Sequence, residues 1–210
     1  MIELTERDID ILTLVAECRV MIAPQIRPRL FPNDVSGRIT RRRLAKLAEF
    51  EYLRRGRLSV VPTDAVTSCP YYTLGPQGTI VLTERTGDDR YLNYPLGVHR
   101  TNHLWHYLSF TETYLLFREA IEQQDYVQLL RWLGEDDPLD LSKPPKEQSF
   151  LRTSYAGNIL CMPDGALLLG LPDGRTALYL IEEDRATTSP RRVVARQMLA
   201  QGGGGAIVIV

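Results

Sequence analysis

The sequence predicts an α+β protein with an N-terminal winged helix-turn-helix domain and a small α/β domain after it. Three observations support this prediction. Helical segments occupy the first 50 residues, two strand segments follow them, and residues 36–57 hold eight Lys or Arg against two Glu. The chain has 210 residues, enough for two small domains, and its 44% hydrophobic and 24% charged residues are typical of folded proteins.

The first two helices are predicted from capping signals and apolar spacing. Thr5 can cap a helix running to about Arg19, and Asp8 can reach back to that cap. Apolar residues recur with helical spacing between them. A short second helix is predicted from Ala23, since the following proline suits a first helical turn, and Pro28 is expected to distort it.

The third helix is predicted over residues 36–50 and carries most of the basic charge. Leu44, Leu47 and Ala48 are spaced to face a core. Six polar or basic residues lie mostly off that stripe: Arg38, Thr40, Arg41, Arg42, Arg43 and Lys46. A recognition helix presents such residues to base edges and phosphates, and arginine can bind both. These six residues are therefore predicted DNA contacts.

Two strands, predicted over residues 52–62 and 69–74, would form a β-hairpin wing. Arg54, Arg55 and Arg57 at its base are predicted to contact phosphates beside the groove. A helix over 79–85 completes the predicted DNA-binding domain, residues 1–85, and residues 86–98 are rich in turn formers and predicted to be a linker. The alternative is a winged helix that contacts a partner protein and binds no DNA.

The predicted second domain, residues 99–210, opens with a long helix over 100–124. This helix is expected either to join two protomers in a homodimer or to pack within one chain. His99, His103 and His106 are spaced near one helix face, as in some metal sites, but packing against the next domain is the favoured interpretation. The three cysteines, Cys18, Cys69 and Cys161, are predicted to be reduced thiols.

The end of the chain predicts a β-hairpin with an acidic residue on either side. Strands are expected over 126–133, 166–171, 176–185 and 206–210, with an exposed loop over 134–148 and a helix from Ser189. Pro163-Asp164-Gly165 precedes the hairpin, and Glu182 lies in its second strand. Pro-Asp-Gly is also a common turn sequence, so Asp164 shaping that turn is the alternative to a functional role.

This pattern resembles the core of restriction-endonuclease-like nucleases, in which an Asp and a Glu hold Mg²⁺ and a nearby Lys helps to activate water. The resemblance implies a Mg²⁺ site at Asp164 and Glu182. Asp184 stands where the lysine would be and cannot do its work, so cleavage is expected to be weak or absent. No cofactor is otherwise predicted, and the chain is not expected to be an enzyme.

Several segments together resemble the replication-relaxation family of winged-helix proteins from plasmids and integrative elements. They are Leu4-Thr5-Glu6-Arg7-Asp8, Arg-Arg-Arg-Leu-Ala-Lys-Leu at 41–47, Tyr52-Leu53, Tyr72-Thr73-Leu74-Gly75-Pro76-Gln77-Gly78, Pro-Asp-Gly at 163–165 and Glu-x-Asp-Arg at 182–185. The resemblance implies DNA binding on a mobile genetic element, in replication, plasmid relaxation or transcriptional control.

Three hypotheses for function follow. The first is a protein that binds double-stranded DNA, the second is a Mg²⁺-dependent nuclease targeted by the winged helix, and the third is an adaptor for a partner protein. No apolar run approaches the roughly 20 residues that span a bilayer, and the N-terminus does not resemble a signal peptide. A cytoplasmic location without membrane contact is expected.

Overall fold

The computed structural model has an α+β fold, as predicted. Its described residues are 2–57, 69–92, 94, 96–97, 104–134, 137, 153–155, 158–161, 163–182 and 206–209. The chain forms two compact units, which we call the N-terminal unit, Met1–Glu112, and the C-terminal unit, Thr113–Val210. The tip of the predicted wing, the 134–148 loop beyond Asp137 and the helix predicted from Ser189 lie outside the described residues.

The N-terminal unit contains the predicted helices and strands in the predicted order. In chain order its elements are α1 Glu6–Cys18, β1 Met21–Ile22, α2 Ala23–Leu30, α3 Arg38–Glu49, β2 Leu53–Arg57, β3 Pro70–Leu74, α4 Pro76–Thr86, the 3₁₀ helix Asp89–Tyr91 and the first part of α5 Leu104–Glu122. The three predicted helices and the two strands are confirmed. The helix α4 begins three residues earlier than predicted, at Pro76, because proline suits a first helical turn.

One strand of the N-terminal unit, β1, was not predicted. The two residues of β1 pair antiparallel with β3, so the sheet has the order β1-β3-β2, with Met21 opposite Tyr72 and Leu53 opposite Leu74. A two-residue strand is too short to show an alternating pattern in the sequence. Its extended conformation is stabilised by hydrogen bonds to a strand about 50 residues later in the chain.

The core of this unit lies between the helices and the sheet. Ile11 and Leu12 of α1, Leu44 and Leu47 of α3 and Leu53 of β2 are almost fully buried. The interpretation of α3 needs one correction. Ala48, predicted to face the core with Leu44 and Leu47, is only partly buried, and the third buried residue is Thr40. Thr40, Leu44 and Leu47 share the i, i+4, i+7 spacing of one helix face.

The segment predicted as a linker packs on the N-terminal unit. Tyr91 is buried, and the hydroxyl of Tyr94 donates a hydrogen bond to the backbone oxygen of Ala16 at 3.0 Å. Further on, Leu104 and Leu108 of α5 cluster with Val20, and the Thr111 hydroxyl donates to the backbone oxygen of Val20 at 2.9 Å. The N-terminal unit therefore continues to Glu112, and the division lies within α5 instead of at residues 86–98.

The C-terminal unit is built around a four-stranded sheet. Its strands are β4 Gln128–Gly134, β5 Thr153–Tyr155, β6 Asn158–Cys161, β7 Gly165–Gly170, β8 Thr176–Glu182 and β9 Ala206–Ile209. The sheet order is β4-β7-β8-β9, with β9 parallel to β8 and the other pairs antiparallel, while β5 and β6 form a separate pair. The four strands predicted in this region are confirmed, and the predicted turn joins β7 to β8 through Gly174 at φ 78°.

The homodimer predicted through residues 100–124 stays a prediction. Leu104 and Leu108 already pack within the N-terminal unit, whereas Trp105 and Leu116 on the same helix are exposed.

Among the helices that the structure describes, none combines the length and apolar character needed to cross a bilayer.

Candidate nucleic-acid interface

The start of α3 is held by a buried aspartate in the preceding turn. The Thr40 backbone nitrogen and hydroxyl donate to Asp34 Oδ2 at 2.7 and 2.8 Å, and Gly37 allows the turn with its φ of 68°. Asp34 thus satisfies a free N–H group of the first helical turn, as a capping residue does. Thr40, a predicted DNA contact, is fully buried in this arrangement, so its role in the structure is to fix the helix.

A second predicted contact, Arg43, binds α1 instead of facing solvent. Its guanidinium forms a bidentate ion pair with Asp8, with Arg43 Nε 2.6 Å from Asp8 Oδ1 and Nη2 in contact with Oδ2. Asp8 is 1% exposed and also accepts a hydrogen bond from the Thr5 backbone nitrogen at 2.7 Å, as the predicted cap requires. Arg43 therefore locks α3 onto the first turn of α1.

The other predicted contacts are exposed. They are Arg38, Arg41, Arg42 and Lys46 on α3 and Arg54, Arg55 and Arg57 on β2, and we call these seven side chains the basic surface. Arg41 donates to the backbone oxygen of Ser36 at 3.1 Å. For the other six, the described part of the chain shows no side-chain hydrogen bond or ion pair. Six cations are thus available to an external anion.

The buried side chain of Tyr72 is influenced by arginines from both α3 and β2. It is 1% exposed and lies opposite Arg55 in the sheet. Burial raises the pKa of Tyr72, while the positive charges of Arg55 and Arg41 act in the opposite direction. An arginine of α3 and an arginine of β2 thus both lie near one buried phenol, so α3 and β2 present charge to the same region.

The three arginines of β2 do not all share one face. Side chains alternate along a strand, so Arg55 and Arg57 lie on the same side as Tyr72, and Arg54 lies on the other. On the side of Arg54, the ring of Tyr71 covers Gly56, where an added Cβ would lie 2.1 Å from the ring. Arg55 and Arg57 are consequently the members of β2 that extend the charge of α3.

Two apolar side chains at this surface were not predicted. Val35, in the turn before α3, is 89% exposed, and Ile39 in the first turn of α3 is 51% exposed. Ile39 is offset by one position from the buried stripe that starts at Thr40, which is why it faces solvent.

The predicted acidic pair meets at one end of the β7–β8 hairpin. Gly165 lies opposite Ile181, so the next residues outward, Asp164 and Glu182, are neighbours across the two strands. The described residues contain no group of three side chains suited to hold a metal ion. His106 stacks on Phe110 with 6.3 Å between ring centroids, while His99, His103 and Asp184 lie outside the described residues.

Acid should destabilise the N-terminal unit through its two buried carboxyls. Burial raises the pKa of Asp34, but hydrogen bonds from Thr40 outweigh this and lower the pKa to about 2. Burial also raises the pKa of Asp8, but the hydrogen bond from Arg43 lowers it, and the net result is a lowered pKa. A carboxyl with a lowered folded-state pKa stabilises the fold above its unfolded value, about 4, and this stability is lost as the pH falls towards about 2.

We therefore expect the melting temperature to decline steeply below about pH 4 and less steeply in Asp34→Asn. Circular dichroism melts between pH 7 and pH 2 measure this, and Asp10→Asn, at an exposed position of α1, is the control. A decline in Asp34→Asn as steep as in the unmodified protein would contradict the assignment of acid sensitivity to Asp34.

Fold and surface define an α+β protein whose N-terminal unit exposes a basic helix beside a basic strand. The chain belongs to the replication-relaxation family, whose model matches residues 12–198. No curated protein and no solved structure matches the chain. Membership of this family suggests a role in the replication or relaxation of plasmids or mobile elements, and it implies interaction with DNA.

Proposed function

We propose that the N-terminal unit is a winged helix-turn-helix that binds double-stranded DNA. Helices α2 and α3 are the helix-turn-helix, α3 is its recognition helix, and β2 and β3 form the base of the wing. The observation that carries the proposal is the basic surface, in which six of seven cations have no hydrogen-bonded or ion-paired partner among the described residues. The order helix, strand, helix, helix, strand, strand supports it.

The shape of α3 suits the major groove of DNA. Its 12 residues extend about 18 Å at 1.5 Å per residue, and B-DNA has a major groove about 12 Å wide that admits a helix. Arg38, Arg42 and Ala45 lie opposite the buried stripe, and Lys46 lies beside them. The small side chain of Ala45 lets the helix backbone approach the base edges between the longer cations.

The contacts can be assigned by position. In the proposed complex Arg38 and Arg42 contact bases or phosphates, and Arg55 and Arg57 contact phosphates that flank the groove. Arg41 supports the turn before α3 through its bond to Ser36, while Thr40 and Arg43 hold α3 in place. The biological role we propose is replication, plasmid relaxation or transcriptional control of a mobile genetic element, in keeping with the family.

The test is binding to a random-sequence duplex at several salt concentrations, followed by fluorescence anisotropy. The variant carries Arg38→Ala, Arg42→Ala and Lys46→Ala. Each lost phosphate contact lowers the slope of log K against log salt by about 0.9. We expect the variant to bind about 10- to 100-fold more weakly near 0.1 M salt and to have a slope shallower by about 2 to 3 if all three contact phosphates.

A second triple variant controls for net charge. Arg85→Ala, Arg118→Ala and Arg175→Ala remove the same charge from arginines that pair with exposed acids outside the basic surface. This variant should keep the affinity and slope of the unmodified protein within about twofold, because distant charges are screened by salt. Equal losses in both variants, or no binding at low salt, would contradict the proposal and favour the adaptor for a partner protein.

A second candidate function, a Mg²⁺-dependent nuclease, is favoured only by the acidic pair at the end of the β7–β8 hairpin. Asp164 and Glu182 are the residues that would hold Mg²⁺, which prefers carboxylate oxygens and retains several waters. Calorimetric titration with Mg²⁺ and a plasmid-cleavage assay, each repeated with Asp164→Ala, test it. Binding or cleavage that is unchanged by Asp164→Ala would exclude the pair as the site.

A further inference from the structure

Two exposed apolar side chains, Val35 and Ile39, lie beside the cations of α3 in the sequence. Val35 lies in the turn that precedes α3 and is 89% exposed, and Ile39 directly follows Arg38 in the first turn of α3 and is 51% exposed. An aliphatic side chain left in water gains nothing from folding, and burying it against an apolar group is favourable. The region of α3 proposed to face DNA therefore offers apolar contact as well as positive charge.

The turn that carries Val35 is held in place by several hydrogen bonds. Arg27 Nη1 donates to the Val35 backbone oxygen at 3.0 Å, and Arg41 Nη2 donates to the Ser36 backbone oxygen at 3.1 Å. The Asp34 carboxylate on the other side of Val35 is bound by Thr40. Val35 is thus presented to solvent by a backbone that is fixed on both sides, so a contact made by it would cost little ordering.

The chemistry of the major groove limits what these two side chains can contact there. Base edges in that groove expose hydrogen-bond donors and acceptors, and the apolar group among them is the C5 methyl of thymine. Alanine, threonine methyl and similar apolar groups are the usual contacts of that methyl. Charge complementarity with the surrounding cations favours DNA over an apolar protein surface as the occupant.

We propose that Val35 and Ile39 read thymine methyl groups in the major groove, and so give the protein a preference for thymine at one or two positions of its site. The inference rests on the proposed DNA binding and adds the chemical class of base that these residues recognise. The cations supply affinity for any duplex, while the two aliphatic side chains distinguish thymine from the other bases.

The experiment first selects a preferred duplex from a random library with the unmodified protein. Each thymine of that duplex is then replaced in turn by deoxyuridine, which removes the methyl group and leaves base pairing unchanged. Burial of one methyl group corresponds to about a fourfold change in Kd. We expect about a fourfold loss at one or two thymines, and no loss at those positions for the variant that carries Val35→Ala and Ile39→Ala.

Ile80→Ala is the matched control, because Ile80 lies on α4 and is 49% exposed, close to the value for Ile39. This control should bind the selected duplex as the unmodified protein does and keep the deoxyuridine effect. Circular dichroism melts of all variants should agree within a few degrees, because solvent-exposed positions contribute little to stability.

The outcomes separate this inference from the proposed function. Steep salt-dependent binding to random duplex with no selected sequence, or with no loss on deoxyuridine substitution, would overturn the methyl readout and leave DNA binding intact. A deoxyuridine loss that persists in the Val35 and Ile39 variant would also overturn it, because other residues would then contact the methyls. Absence of any DNA binding would overturn both, and the apolar pair would then be a candidate contact for a protein.

Discussion

Replacing Arg43 with methionine is expected to lower the free energy of unfolding of the N-terminal unit by about 3 kcal/mol. The change leaves the Asp8 carboxylate, which is 1% exposed, without its bidentate partner. An uncompensated buried charge is far more costly than the loss of an exposed ion pair, which contributes about 1 kcal/mol or less. For a unit of this size the melting temperature should fall by roughly 10 to 20 °C.

Arg42→Ala provides the matched comparison. The two arginines are adjacent in α3, but Arg42 is exposed and has no hydrogen bond or ion pair to the described residues. We expect its free energy of unfolding to stay within about 0.5 kcal/mol and its DNA affinity to fall. Urea unfolding followed by circular dichroism measures the first quantity, and fluorescence anisotropy measures the second.

A double variant tests the assignment of the Arg43 effect to Asp8. Combining Arg43→Met with Asp8→Ala removes both charges, so the loss should be smaller than the sum of the two single losses by about 1 kcal/mol or more. Strict additivity would show that the ion pair is not the source of the loss. A variant that neutralises Arg41, Arg42 and Arg43 together would therefore lose DNA affinity both through unfolding and through loss of DNA contacts.

The second large effect is expected at Gly78, in the first turns of α4. Helix propensity alone predicts that Gly78→Ala stabilises the protein by about 1 kcal/mol. The structure predicts the opposite sign, because an added Cβ would lie 2.3 Å from the backbone oxygen of Tyr52. Backbone cannot move aside as a side chain can, so we expect a loss of about 2 to 3 kcal/mol by thermal or urea unfolding.

Gly75→Ala should have a similar cost for the same reason. Its Cβ would lie 2.2 Å from the backbone oxygen of Glu51, although the φ of −99° and ψ of 170° at Gly75 suit any residue. Gly87→Ala is the control, since nothing lies within 4 Å of the added Cβ and only its φ of 66° is unfavourable, at about 1 to 2 kcal/mol. A rise in melting temperature for Gly78→Ala would show that α4 does not pack on the chain at 51–53.

Gly75 and Gly78 show why only part of the candidate site could be predicted from the sequence. The segment Gly75-Pro76-Gln77-Gly78 predicts a turn before a helix, but a glycine in a sequence does not indicate which backbone atoms pack against it. The close approach joins the start of α4 to the residues between α3 and β2, and it therefore sets where the basic helix lies relative to the basic strand.

The acidic pair, Asp164 and Glu182, likewise could be predicted only in part from the sequence. The sequence predicted a hairpin from the strands over 166–171 and 176–185, and the register of that hairpin brings Asp164 and Glu182 together at one end. The pairing of these residues thus follows from local signals. Whether a metal binds them depends on groups from other segments, whose positions no local pattern encodes.

For the N-terminal unit, the amino-acid sequence alone predicted the main helices, strands β2 and β3, their order, and the segment that carries the charge. Apolar periodicity, capping residues and local charge density depend on neighbours a few residues apart, so they can be read along the chain. Which polar residues of α3 remain available for binding depends on how α3 packs against the rest of the unit. Thr40 is bound by Asp34, and Arg43 by Asp8, 35 residues earlier in the chain, whereas the identical Arg42 beside it is exposed to solvent. These partners, and the burial that comes with them, are set by packing and cannot be inferred from residue type.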